Sequence, residues 1–162
     1  MKVVVCPGTF DPVTNGHLDI LFRAREVAEM VVVGVSRDSQ KQLLFNLNER
    51  ISFIKDEIKN IDGIIVESFD SLVVKFARKY EAQAIVRGLR AVTDFEHEFQ
   101  MAQLNKELAP AIETVFIMAK PEYGYLSSSA VKEIARYNGD VSQMVPIRVE
   151  EALKKKMQGF GG

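Results

Sequence analysis

The stretch PGTFDPVTNGH, residues 7–17, joins a predicted strand to a predicted helix. The β-branched run at 2–6 predicts a buried strand before it, and apolar side chains at helical spacing predict a helix over about 16–29 after it. The start of a helix offers unpaired N–H groups and a partial positive charge, both of which favour phosphate, and Gly16 lets the backbone approach a ligand closely. We therefore expect a phosphate site at this junction, with His17 donating a hydrogen bond to a phosphoryl oxygen.

The alternative interpretation of this junction is an ordinary turn at Asn15 and Gly16 with a surface histidine. The segment TNGH, residues 14–17, fits the T/H-x-G-H pattern of the nucleotidyltransferase superfamily, and it lies at the expected strand-to-helix junction. No G-x-G-x-x-G sequence follows the first strand, which argues against a dinucleotide site for NAD. The pattern therefore favours the phosphate site over the turn.

Strands and helices alternate along the rest of the chain. Further strands are predicted at 30–36, 64–66, 84–86 and 113–118. Helices are predicted over 49–60 with Asn48 as the N-cap, from an Asp70 cap through 79, and over 94–107, and a final pair follows the loop at 120–121. This order predicts a single α/β domain over residues 1–162. We expect a doubly wound, Rossmann-like, five-stranded parallel sheet with helices on both faces and a C-terminal helical segment.

Composition limits the function classes. The 162 residues carry a formal net charge of -1, which gives no general attraction to nucleic acid. No apolar stretch approaches the roughly 18 residues of a membrane span, and no targeting segment is recognised, so no membrane partner is expected. The single cysteine, Cys6, cannot form an internal disulfide, which favours a reducing compartment such as the cytoplasm.

Two further segments follow predicted strands. VRGLR, residues 86–90, places two guanidinium groups around a glycine, a pattern suited to phosphate binding; the alternative is an exposed pair bridged to Asp94 or Glu96. YGYLSSS, residues 123–129, offers serine donors at a helix start and tyrosines that could pack beside a base; the alternative is an ordinary capped helix. Lys41 follows the second strand and could reach the same cleft, although most lysines are solvated. No Cys/His cluster with zinc spacing and no Ser-His-Asp arrangement is found, so no protein-bound metal is predicted.

Together these motifs resemble those of the bacterial phosphopantetheine adenylyltransferase family over nearly the whole chain. The resemblance is carried by PGTFDP with TNGH at 7–17, by RGLRAV with DFE at 87–96, and by SSS with VKE at 127–133. Departures are mild, since a Trp is common at Tyr123 and an Ile at Leu126. His97 stands where a Tyr is often found and is given no role.

The resemblance implies a role for each matching residue. His17 would stabilise the transition state, and Thr9 would contact both ATP and the acceptor. The acceptor would also be bound by Lys41, Arg87 and, along its pantetheine arm, Val73. The remaining ATP contacts would be Phe10, Gly88, Leu89, Arg90, Glu98, Tyr123, Gly124, Tyr125, Leu126, Ser127, Ser128 and Ser129.

The resemblance also implies a reaction. The acceptor phosphate of 4'-phosphopantetheine would attack the α-phosphorus of ATP in line, releasing pyrophosphate and giving dephospho-coenzyme A, aided by Mg²⁺. A homohexamer and feedback inhibition by coenzyme A are expected on the same ground. The rival interpretations are a nucleotidyltransferase for nicotinamide mononucleotide, a fragment of a class I aminoacyl-tRNA synthetase, and a non-catalytic ATP-binding module.

Overall fold

The computed structural model describes residues 1–37, 42–90 and 92–159, the last range without the side chains of 92–94. Within these ranges the sheet has five parallel strands in the order β3-β2-β1-β4-β5. The strands are β1 Val3–Gly8, β2 Met30–Ser36, β3 Ile64–Phe69, β4 Ala84–Leu89 and β5 Glu113–Met118. The predicted five-stranded, doubly wound parallel sheet is therefore confirmed.

Helices connect the strands and complete the carboxyl-terminal part of the chain. They are α1 Asn15–Val27, α2 Leu47–Ile58, α3 Val73–Lys79, α4 Val92–Leu108, α5 Ser128–Arg136 and α6 Ile147–Gln158, with a 3₁₀ turn at Pro121–Tyr123. Among the helices of the described ranges, none is long and apolar enough to cross a membrane.

Apolar side chains of alternate strand residues pack against helices on both faces of the sheet. Val4 and Val33 belong to a core that also contains α1, α2, α5 and α6, whereas Val5 and Val32 belong to a second core that contains α3. Successive side chains of a strand point to opposite faces, so a continuous valine run supplies both cores. The helices on both faces agree with the predicted fold class.

Three helix details differ from the sequence predictions. The N-cap of α2 is Asn46 and not Asn48, because Glu49 lies three residues after Asn46 and completes a reciprocal capping box with it. The N-cap of α3 is Leu72, without a side-chain cap bond, and not Asp70. Val27 shares the helical spacing of the apolar residues that predict this helix on the core side, but it is the last residue of α1 and is exposed.

Three strands, β1, β3 and β4, continue further than predicted, and the extensions of β1 and β4 shape the site. Arg87, Gly88 and Leu89 do not follow β4 but belong to it, because their pairing with β5 continues to Met118. Likewise β1 continues through Pro7 and Gly8, which pair with β2. The ladder between β1 and β4 covers only Val4 and Val5, and Pro7 lies beyond it. The sheet therefore loses no hydrogen bond at Pro7, although proline has no backbone N–H.

Candidate active site

The site lies where β1 and β4 separate at their carboxyl ends. This is the point at which the strand order changes direction, the usual place for a ligand in such a sheet. Two cavities open there, with volumes of about 310 Å³ and 260 Å³. We call them the larger and the smaller cavity. They share one wall, formed by Pro7, Gly8, Thr9, Arg87 and Glu98. Two ligands placed in these cavities would therefore meet at this wall.

His17 lines the larger cavity from the first turn of α1. The backbone N–H of Thr14 donates to His17 Nδ1 at 3.0 Å, and the backbone N–H of His17 donates to the Thr14 hydroxyl oxygen at 3.2 Å. Because Nδ1 accepts from a backbone donor, the proton of the neutral ring is on Nε2. The Phe10 ring supports the imidazole by an edge contact at a centroid distance of 5.1 Å. The ring is thus held as a donor at one defined atom.

The imidazole of His17 is neutral at physiological pH. Burial lowers its pKa from 6.5 to about 4, and the nearby charges of Arg90 and Arg87 add to the decrease. A neutral imidazole can donate a hydrogen bond from its Nε2–H group to an oxyanion, but it does not release that proton near pH 7. The residue therefore suits charge stabilisation and not acid catalysis.

The loop between β1 and α1 is braced on several sides. Phe10 has a φ of 52°, in the left-handed region, and its ring lies over Gly8, where an added Cβ would be 2.9 Å from it. Asp11 accepts hydrogen bonds from the backbone N–H groups of Leu44 and Phe45 at 2.9 Å and 2.8 Å, and from Lys132 at 2.8 Å. The loop that carries Thr9 is therefore held in one conformation.

Arg87 spans the gap between the separating strands. Its Nη1 donates to the carbonyl of Pro7 at 2.7 Å, while Nε and Nη2 donate to the two carboxylate oxygens of Glu98 at 2.8 Å and 2.6 Å. The side chain of Asp94, one partner named in the alternative interpretation, lies outside the described residues, and the bidentate partner that the structure shows for Arg87 is the buried Glu98. This geometry fixes the plane of the guanidinium at the wall shared by the two cavities.

The start of α5 faces the larger cavity. Ser127 is the N-cap and accepts from the N–H of Ala130, and Ser127, Ser128 and Ser129 all line the cavity. Arg90 donates to the carbonyl of Leu126 at 2.6 Å, which ties the end of β4 to this segment. A helix N-terminus beside an arginine and three hydroxyls is a favourable place for phosphate groups.

The sequence-predicted residues are distributed as follows. The larger cavity is lined by Thr9, Phe10, His17, Arg87, Gly88, Arg90, Glu98, Tyr123, Leu126, Ser127, Ser128 and Ser129, and the smaller one by Val73 together with Thr9, Arg87 and Glu98. Leu89 and Gly124 do not line either cavity, and the side chain of Tyr125 is 94% exposed. Lys41 lies outside the described residues.

Two cavity-lining charged residues were given no role by sequence reasoning. Asp11 and Lys132 line the larger cavity and pair with each other across 121 residues of chain. Both belong to motifs that were recognised, so their proximity to the site was detectable, but their pairing was not. A contact between residues so far apart has no local sequence signal.

No dedicated metal site is formed by the described residues. They contain no group of three or more His, Cys, Asp or Glu side chains that could hold a metal ion. The two buried carboxylates of the larger cavity are engaged, Asp11 with Lys132 and Glu98 with Arg87. A divalent cation would therefore need ligand oxygens from a substrate.

Comparison with known proteins places the chain among nucleotidyltransferases. The cytidylyltransferase-like family model matches residues 5–134. A phosphopantetheine adenylyltransferase of Moorella thermoacetica is 53% identical over 156 residues, covering 96% of this chain and 98% of that protein. One of Desulforudis audaxviator is 48% identical, covering 99% and 100%. A solved structure of the Plasmodium falciparum nicotinic acid mononucleotide adenylyltransferase superposes with a TM-score of 0.69 at 14% identity over 95% of each chain, which shows a shared fold.

Proposed function

The chain belongs to the phosphopantetheine adenylyltransferase family, and from this membership we propose that it transfers the adenylyl group of ATP to 4'-phosphopantetheine. The products are dephospho-coenzyme A and pyrophosphate, a step of coenzyme A biosynthesis. The observation that carries this proposal is the wall of Thr9 and Arg87 at which two cavities meet. An enzyme that joins two phosphorylated substrates needs two adjoining sites of this kind.

ATP occupies the larger cavity in this proposal. The start of α5 with Ser127, Ser128 and Ser129, together with Arg90, binds the phosphates that leave as pyrophosphate. The acceptor occupies the smaller cavity, whose apolar residues Val73 and Met101 suit a pantetheine arm. Arg87 at the shared wall, with Lys41 from the sequence-based expectation, binds the acceptor phosphate.

The reaction is a direct displacement. An oxygen of the acceptor phosphate forms a bond to the α-phosphorus, the bond from that phosphorus to the α–β bridging oxygen breaks, and the electron pair leaves with pyrophosphate. The acceptor phosphate is already ionised near pH 7, so the protein supplies position and charge stabilisation. The neutral His17 donates from Nε2 to an oxygen of the α-phosphoryl group, where negative charge develops.

Mg²⁺ is proposed to enter with ATP, bound to the phosphate oxygens of that substrate. The described residues form no metal cluster, and Asp11 and Glu98 are paired with cations, so this part of the chain offers no cage of its own. Mg²⁺ commonly binds through substrate phosphates and water with few protein ligands. The ion neutralises charge on the triphosphate when bound.

We also propose self-association into a homohexamer, feedback inhibition by coenzyme A, and a cytoplasmic location. The helix α4 leaves Phe95, Phe99, Leu104 and Leu108 about half exposed, which favours burial against another copy. Coenzyme A contains both an adenine nucleotide and a pantetheine arm, the two groups that this proposal places in the joined cavities. The one cysteine of the chain, Cys6, is free and buried, which suits a reducing compartment.

The decisive experiment measures pyrophosphate release by the purified protein with Mg²⁺ and ATP. Three reactions are compared: 4'-phosphopantetheine as acceptor, nicotinamide mononucleotide as acceptor, and no acceptor. Release with 4'-phosphopantetheine alone is the expected result. Turnover on the mononucleotide would reassign the acceptor, and ATP binding without turnover on either acceptor would contradict the proposed reaction.

A further inference from the structure

Arg50 is a buried charged residue that the proposed mechanism does not use. It lies in the first turn of α2 and is 1% exposed. Among the described residues it is the largest side chain that is fully buried. Its Nη1 donates to the carbonyl of Thr9 at 2.8 Å and to that of Ser36 at 2.9 Å. Burying a guanidinium is costly, and an apolar residue of similar size often stabilises a core at least as well. The buried guanidinium is therefore best explained by the two backbone carbonyls that it holds together.

The two carbonyls mark the place where neighbouring strands part. The ladder between β1 and β2 ends with Gly8 paired to Val35, so Thr9 and Ser36 would form the next pair. In that position the single Nη1 of Arg50 bridges the two strands in place of a ladder bond. Beyond it the chain turns at Phe10, which has a left-handed φ of 52°. Arg50 thus closes the end of the ladder just before the chain leaves the sheet.

Thr9 and Ser36 both line the smaller cavity, and Thr9 also lines the larger one. Arg50 itself lines neither, so its side chain lies behind the cavity wall. Its Nε has no hydrogen-bond partner among the described residues, which makes the arrangement costly as a purely structural feature. We propose that Arg50 is a positioning residue that holds the Thr9 and Ser36 carbonyls together and so fixes the acceptor side of the cleft.

Arg25, in the last turn of α1, provides a matched control at the other end of the sheet. Its Nε donates to the carbonyl of Asp62 at 2.8 Å and its Nη1 to that of Ala28 at 2.9 Å, so it also joins two backbone carbonyls. Those carbonyls precede β2 and β3, so they lie at the amino ends of the strands, whereas the cavities lie at the carboxyl ends. Replacing Arg25 removes the same kind of contact without touching the acceptor side.

The inference rests on the proposed adenylyl transfer, and the experiment separates the two. Steady-state kinetics with 4'-phosphopantetheine and ATP are measured for the wild type, Arg50→Met, Arg50→Lys and Arg25→Met, with the melting temperature of each. Arg50→Met should raise the KM for the acceptor about tenfold and change the KM for ATP less than about twofold. Arg50→Lys keeps the charge and should be intermediate, and Arg25→Met should leave both KM values within about twofold of the wild type.

Amide hydrogen exchange on the same proteins gives a readout that does not depend on the reaction. Residues 9–11 and 36–37 should exchange faster in Arg50→Met than in the wild type, and Arg25→Met should leave them unchanged. Wild-type protein without turnover would defeat the proposed function, while the exchange comparison would still decide the positioning role. Unchanged acceptor KM and exchange in a folded Arg50→Met, or equal effects in Arg25→Met, would overturn the inference. If Arg50→Met does not fold, Arg50→Lys decides: a raised acceptor KM supports the role, and a wild-type value overturns it.

Discussion

The backbone N–H of Thr14 donates to Nδ1 of His17, at a distance of 3.0 Å. The same threonine caps α1, because its hydroxyl oxygen accepts from the backbone N–H of His17. One residue therefore begins the helix and selects the tautomer of the imidazole that lines the cleft. The donor at Nε2 is present before any substrate binds, which is the kind of preorganisation that stabilises a developing charge.

Removal of the imidazole should abolish most turnover without unfolding the protein. We expect His17→Ala to lower kcat by roughly 10²- to 10³-fold or more, the scale for loss of one transition-state donor. His17→Gln keeps an N–H donor and should retain more activity than the alanine variant. Pyrophosphate release under saturating substrates measures both effects, with circular dichroism as the check on folding. A folded alanine variant with kcat near the wild-type value would refute the role.

The pKa of His17 also predicts how stability depends on pH. Burial lowers this pKa to about 4 in the folded protein, against 6.5 for the ordinary group. Between these two values the unfolded chain binds more protons at this site, so the contribution of His17 to stability is present above about pH 6.5 and lost as the pH falls toward 4. Melting temperatures of the wild type should therefore fall more steeply over this window than those of His17→Gln. Parallel curves for the two proteins would contradict the lowered pKa.

Lys41 should act on the acceptor and not on ATP. The residue lies outside the described part of the chain, so this prediction rests on its place in the sequence and on the family resemblance. Lys41→Ala should raise the KM for 4'-phosphopantetheine, because a cation next to the acceptor phosphate is lost, and leave the KM for ATP near the wild-type value. Equal weakening of both substrates, measured by steady-state kinetics, would count against this division of roles.

The sheet and the first motif were predictable because their signals are local. Valine runs indicate buried strands, and the TNGH segment placed His17 at a strand-to-helix junction, as observed. Arg50 was not predictable, because a charged residue in a helix of mixed polarity normally faces solvent. Its burial depends on the carbonyl of Thr9, which is 41 residues away in the chain. The strand position of Arg87 was missed for a similar reason, since it depends on continued pairing with β5.

The carboxylate of Asp11 should contribute strongly to stability. It is 3% exposed and accepts hydrogen bonds from two backbone N–H groups and from the Lys132 ammonium. In Asp11→Asn the amide N–H₂ of the asparagine would face one of these donors. Lys132 would also lose its counter-charge. We expect Asp11→Asn to lower the free energy of unfolding by about 2–4 kcal/mol, measured by urea denaturation. Asp140→Asn is the control, because Asp140 is an exposed carboxylate that also accepts a backbone N–H. A loss no larger than that of the control would show that the Asp11 contacts do not hold the loop.

Gly88 should be required because α1 packs closely against β4. A Cβ at this position would lie 3.0 Å from Cγ1 of Ile20, so in Gly88→Ala the Ile20 side chain, or α1 with it, has to move by a few tenths of an ångström. Ile20 is one turn after His17, and the displacement should therefore lower kcat as well as reduce stability by about 1–2 kcal/mol. Ile20→Ala removes the obstructing atoms, so Gly88→Ala should cost less in that background, which a double-mutant cycle measures directly. Gly159→Ala is the control, since a Cβ there would be 3.4 Å from its nearest neighbour, an ordinary contact. Additive effects of the Gly88 and Ile20 changes would mean that the glycine is needed for ligand approach alone and not for helix packing.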